Sequence, residues 1–172
     1  KEKHLLLFFV YKNFNCNLVV ILIIAMLKEK FSQYSFILDQ TARRVKQFAQ
    51  TSFTQKKFDI TIDQWAILKI LFQQSTDLTH KELSEYSGKD QPTLTRIVDN
   101  LIKKKLVERI EHPTDRRCLQ IRLTNQGRQK VEFLSPEIAQ IRMKAWENLT
   151  DEDFTHFVRI LNTIYENLDK ER

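Results

Sequence analysis

Between residues 61 and 124 the hydrophobic period switches from threes and fours to alternation, and this switch constrains the fold more than any other feature. Three short helical runs come first. Thr61-Ile62-Asp63-Gln64 has the capping-box pattern, in which the threonine hydroxyl and the glutamine side chain each satisfy a free backbone N–H of the other. Trp65, Ile67, Leu68 and Leu71 follow as buried positions. Thr79-His80-Lys81-Glu82 repeats the pattern before a run through Leu83 and Tyr86 that Gly88 stops. Asp90-Gln91-Pro92 opens the third run, because a first-turn proline gives up only an N–H that has no helical partner there. Its apolar face is Leu94, Ile97, Val98, Leu101 and Ile102. Residues 106–110 then alternate loosely and 119–123 cleanly, which predicts two strands. His112-Pro113-Thr114-Asp115-Arg116-Arg117 supplies the turn between them. Helix, helix, helix, strand, turn, strand is the order of a helix-turn-helix followed by a two-stranded wing.

Both flanks are predicted helical. From residue 28 to about 57, Phe31, Tyr34, Leu38, Ala42, Val45, Phe48 and Ala49 recur at threes and fours without glycine or proline. Such a stripe needs either a core or a second copy of itself to cover it. Thr124 caps a run through Val131 and Leu134, Ser135-Pro136-Glu137 marks a kink or restart, and Ile138, Ile141 and Trp146 continue the pattern. Thr150-Asp151-Glu152-Asp153 caps a last helix with Phe154, Phe157, Val158, Leu161, Ile164 and Leu168 on its inner face. The first 27 residues stand apart. Residues 5–10 and 18–27 are apolar, yet neither run reaches the about 20 residues of a membrane helix. No Ala-x-Ala cleavage pattern marks a signal peptide. The chain does not begin with Met, and Met26 stands just before the amphipathic run. Residues 1–25 are therefore expected to lie upstream of the natural start or outside the fold. As part of the fold they would bury their apolar surface against a partner subunit.

The composition, 42% hydrophobic and 29% charged, is that of an ordinary globular chain and argues against wholesale disorder. The net charge of +6 is localised, since residues 89–130 carry 11 basic and 5 acidic side chains. A local basic field is the footprint of a polyanion, nucleic acid or acidic lipid. In a winged helix-turn-helix the third helix enters the DNA major groove with its N-terminal end leading, and the wing sets a cation in the neighbouring minor groove. The residues of that helix not needed for the core are Gln91, Thr93, Thr95, Arg96, Asp99, Asn100 and Lys103. Gln91, Thr93, Thr95 and Arg96 lie near the leading end, where amide, hydroxyl and guanidinium groups suit base edges or phosphates. Lys89, Lys103 and Arg116 are expected at phosphates.

Several short motifs then fall at matching intervals. They are Leu94-Thr95-Arg96-x-x-Asp99-x-Leu101, Leu106-Val107-Glu108-Arg109, Asp115-Arg116-Arg117 and Leu123-Thr124-x-x-Gly127. From about residue 28 to 168 the chain resembles the MarR family of bacterial regulators on these motifs. The resemblance implies a mainly α fold with a small β-wing, a winged helix-turn-helix with N- and C-terminal dimerisation helices. Residues 28–60 would form the first dimerisation helix, 61–124 the DNA-binding region and 125–172 the C-terminal helices, with 1–27 an apolar extension. It further implies a cytoplasmic transcriptional regulator, a homodimer on a near-palindromic operator in double-stranded DNA. A small-molecule effector would bind between the dimer helices and the winged lobe. At the matching positions Arg117 would be the minor-groove arginine of the wing tip, Asp115 would orient a wing arginine, and Arg116 would meet phosphate. One position departs from the family, which commonly has glycine before the first wing strand where this chain has Lys105. A left-handed residue there costs lysine about 1 kcal/mol or somewhat more relative to glycine.

Catalysis finds little support. Gly88 and Gly127 are the only glycines, so no phosphate-cradling loop is present and no cofactor is expected. His4, His80, His112 and His156 are scattered without metal-ligand spacing and read as surface or capping residues. Cys16 and Cys118 lack CxxC spacing, and Cys118 reads as a packing residue on the second wing strand. Phe31, Tyr34, Phe48 and Trp65 suit either an effector pocket or, better, core packing. Two other readings stay open: a winged-helix protein-interaction module, and a membrane-anchored regulator resting on residues 1–27 alone.

Overall fold

The computed structural model describes residues 16–114 and 118–170. Helix α1 is Cys16–Gln55, and it begins well ahead of residue 28, because residues 18–27 contain no helix breaker. The chain divides into two units, residues 1–48 and 49–172. In the first, every side chain from 21 to 48 is exposed. A seven-residue register runs along it: Ile24, Phe31, Leu38 and Val45 form one series, and Leu27, Tyr34 and Phe48, with the polar Thr41 between them, the other. This is the a/d pattern of a coiled-coil seam, a period of 3.5 that keeps one straight stripe facing a partner helix. Phe31, Tyr34 and Phe48 are thus not core residues of this chain.

The second unit carries the hydrophobic core. Its helices α2 (Ile62–Gln73), α3 (His80–Ser87) and α4 (Gln91–Lys103) precede strands β2 (Val107–Glu111) and β3 (Leu119–Leu123). The capping boxes at Thr61 and Thr79 both form, Asp90 caps α4, and Gly88 ends α3 in the left-handed conformation that glycine adopts without strain. Ile67, Leu68, Leu83, Leu94, Val98 and Leu101 are fully buried, joined by Phe53 from the end of α1 and by Val107 and Ile121 from the sheet. Trp65 lies in this core. Gln64 is the buried polar residue among those described, and its Oε1 accepts from the Thr61 N–H at 3.2 Å and from Lys104 Nζ at 3.1 Å.

The sheet has a third strand that alternation could not signal. Leu78–Thr79 forms β1, two residues long, and pairs antiparallel with β3, Leu78 opposite Ile121 and Thr79 opposite Gln120. Helix α5 runs unbroken from Asn125 to Met143 through Pro136, so the expected restart does not occur. Proline removes one backbone bond there, while Ser135 Oγ turns back to the Val131 carbonyl at 2.7 Å. Val131, Leu134, Ile138 and Ile141 bind α5 to the core. A 3-10 turn (Lys144–Trp146) leads to α6 (Asp151–Asp169), capped by Thr150 and Asp153 as expected. The stripe of α6 is present but uncovered. Trp146 packs on Phe154 and Phe157, whereas Val158, Ile164 and Leu168 stay exposed.

Candidate nucleic-acid interface

The leading end of α4 is built by its cap. Asp90 Oδ1 accepts the Thr93 N–H at 2.8 Å and Oδ2 accepts the Thr93 hydroxyl at 3.0 Å. These bonds, the backbone one first, hold the Asp90 carboxyl below its ordinary range. Thr93 is therefore committed to the cap, while Gln91, Thr95 and Arg96 stand exposed beside it. His80, which the sequence reading set aside as a surface or capping residue, reaches across from α3. Its Nδ1 lies 2.5 Å from Gln91 Oε1 and its Nε2 lies 3.2 Å from Thr95 Oγ1.

Lys89 is turned inward. Its Nζ meets Asp63 Oδ1 at 2.7 Å with only 17% of the side chain exposed, so a phosphate contact would first have to break that pair. The run Lys103-Lys104-Lys105 splits three ways. Lys103 is exposed, and Lys104 donates to the Asp59 carbonyl and to Gln64. Lys105 takes the left-handed conformation, φ 59°, that the missing glycine implied. There the Lys105 N–H bonds to the Ile102 carbonyl at 2.8 Å and the Leu106 N–H to the Leu101 carbonyl at 3.0 Å. This double bond pattern closes a helix and aims the chain into the next strand.

The wing is held to α4 by charge. Arg109 on β2 meets Asp99 on α4 at 2.7 Å, and Glu108 meets its cross-strand partner Arg122 at 2.9 Å. At the wing base the Thr124 hydroxyl donates to the Lys105 carbonyl at 2.7 Å and accepts from the Gly127 N–H at 3.0 Å. Asp99, Glu108, Arg109, Thr124 and Gly127 of the motifs thus each have a mechanical task. The hairpin closes with the His112 N–H donating to the Cys118 carbonyl at 3.2 Å. Cys118 is exposed and precedes β3, so it is not a packing residue. Asp115, Arg116 and Arg117 lie outside the described residues. Among the described residues no three His, Cys, Asp or Glu side chains gather as a metal site, and no helix is long and apolar enough to cross a membrane.

The comparisons with known proteins fall on this same assembly. The MarR family model matches residues 60–119, from the start of α2 into β3. Over these residues the chain is similar to the MarR family. The repressor IacR of Pseudomonas putida is 26% identical over 114 residues, 66% of this chain and 68% of that protein. The repressor YetL of Bacillus subtilis is 32% identical over 107 residues, 61% of this chain and 64% of that protein. The structure is similar to the S. aureus MepR–DNA complex, with a TM-score of 0.67 and 26% identity, covering 78% of this chain and 97% of MepR. The family model thus falls within the winged unit, and the likeness to MepR extends beyond it into the helical flanks.

Proposed function

We propose that this chain is a sequence-specific DNA-binding transcriptional regulator, a ligand-responsive repressor that acts in the cytoplasm as a homodimer on a near-palindromic operator. One observation carries the reading: the exposed Gln91, Thr95 and Arg96 at the leading end of α4 stand on a helix that the Asp99–Arg109 pair ties to the wing. Arg96 and Gln91 supply base-edge contacts, and Lys103 and Arg116 supply phosphate contacts. Arg117 enters the minor groove, with Asp115 holding a wing arginine in place. The uncovered stripes of α1 and of α6 each support self-association. Two half-sites must lie about one turn of DNA apart, so an effector that alters lobe spacing releases the operator.

The test is binding of the chain to duplex DNA from its own upstream region over a salt series, beside Arg117→Ala. Affinity that falls with salt and weakens in the variant is the expected result. Binding indifferent to Arg117 keeps the function and removes the wing contact. A stable dimer with no DNA affinity would turn the reading to a protein-interaction module.

A further inference from the structure

We propose that His80 is a specificity-determining positioning residue, whose ring decides which hydrogen-bonding edges Gln91 and Thr95 turn toward DNA. The proposal deepens the DNA-binding reading and rests on it. His80 opens α3, yet both of its ring nitrogens are engaged on α4, with Gln91 Oε1 at 2.5 Å and Thr95 Oγ1 at 3.2 Å. The two partners lie one turn apart on the exposed leading end, and the Thr95 hydroxyl also reaches the Gln91 carbonyl at 2.9 Å.

A hydroxyl has one proton, and this restricts the network to a few arrangements. If the Thr95 proton goes to His80 Nε2, the ring proton sits on Nδ1 and donates to Gln91 Oε1. The Gln91 NH2 then faces outward. If the Thr95 proton goes instead to the Gln91 carbonyl, Nε2–H donates to Thr95. Gln91 then keeps its oxygen on the ring only when the ring is doubly protonated, and otherwise turns its NH2 inward and its oxygen outward. In every arrangement one edge of the amide is committed to His80. A glutamine held in this way meets a base with less loss of rotamer freedom than one swinging in solvent. Its outward donor or acceptor pattern is also what distinguishes one base edge from another in the major groove.

The experiment first selects a preferred duplex with the full chain from a randomised double-stranded library. Affinity for that duplex and for a scrambled one is then measured over a salt series. The variants are His80→Ala, Gln91→Ala, both together, and His80→Asn, which keeps a hydrogen-bonding group near the Nδ1 position. The expected result is that His80→Ala lowers the preference roughly tenfold, with affinity for the scrambled duplex and the salt slope unchanged. The double variant is expected to lose clearly less than the sum of the two single losses, since His80 acts in part through Gln91, and His80→Asn to recover most of the preference. Should His80→Ala unfold the chain, His80→Phe keeps the ring volume, loses both bonds and is read in the same way. Equal losses on both duplexes, or losses that add in the double variant, overturn the proposal. A wild-type chain that binds no duplex sinks the DNA-binding reading and this inference together, whereas a preference that survives His80→Ala sinks this inference alone.

Discussion

Gly127 on α5 lies against the backbone of Leu106 at the foot of the wing, so close that a β-carbon there would stand 2.0 Å from the Leu106 carbonyl oxygen. That oxygen also accepts the Thr124 N–H, so it has no room to retreat without loosening the helix cap. Two effects compete in Gly127→Ala. Alanine favours a helix by about 1 kcal/mol over glycine, while overpacking costs roughly 1–3 kcal/mol and more against rigid backbone. The clash is with backbone, so it wins. The variant is expected to lose about 2 kcal/mol, read as a lower denaturant midpoint with an unchanged slope. An unchanged or raised midpoint would show that α5 and the wing base separate freely.

Lys105 gives the opposite sign. A non-glycine residue at φ 59° carries about 1–2 kcal/mol of strain. Glycine there would instead add freedom to the unfolded chain, at about 0.4–1 kcal/mol. The strain is the larger, so Lys105→Gly is expected to stabilise by about 0.5–1 kcal/mol. Thermal unfolding measures this, and a lowered transition would mean that the lysine side chain contributes more than its backbone costs.

Much of this architecture was legible because its signals are local. Thr61, Thr79, Asp90, Thr124 and Thr150 all cap the helices that their spacing announced, since a cap needs only the next three residues. The strain at Lys105 could be read from a missing glycine. What escaped depends on distance or on partners. β1 is two residues long and exists only because β3 lies beside it. The inward turn of Lys89 depends on Asp63, 26 residues away. His80 looked idle because its partners, Gln91 and Thr95, belong to another helix. The stripes of α1 and α6 were visible as periodicity, but period alone does not say whether the covering surface is the same chain.

The acidic caps make stability depend on pH in a fixed direction. Bonds from the Thr79 hydroxyl, then from its backbone N–H, hold Glu82 below the ordinary carboxylate range; Thr150 does the same for Asp153, its backbone N–H first. A carboxyl depressed in the folded state stabilises fully above its unfolded pKa, and that stability is lost as pH falls through the folded value. Glu82→Gln keeps a capping acceptor but cannot titrate. Wild type is therefore expected to be the more stable at pH 7, with the gap closing only as pH falls below the ordinary carboxylate range. Denaturant melts of both proteins across pH 2.5–7, conditions in roughly that range, measure the gap. A gap that stays constant would mean that Glu82 is not stabilised as an anion.

The seam of α1 makes the most direct statement about assembly. Ile24, Phe31, Leu38 and Val45 alternate with Leu27, Tyr34, Thr41 and Phe48 without a charge among them, and all are exposed in the single chain. Covering an apolar side chain of this size stabilises by about 1.5–3 kcal/mol, so several together are enough to drive association. Ser32 and Gln40 fall outside the two series. If the seam meets a second copy of itself, Leu38→Glu buries a charge in each chain and is expected to yield a monomer at micromolar concentration by light scattering. Gln40→Glu adds the same charge off the seam and is expected to leave the dimer intact. A Leu38→Glu chain that remains dimeric would move self-association to the stripe of α6, where Val158→Glu and Ile164→Glu then become the disruptive pair.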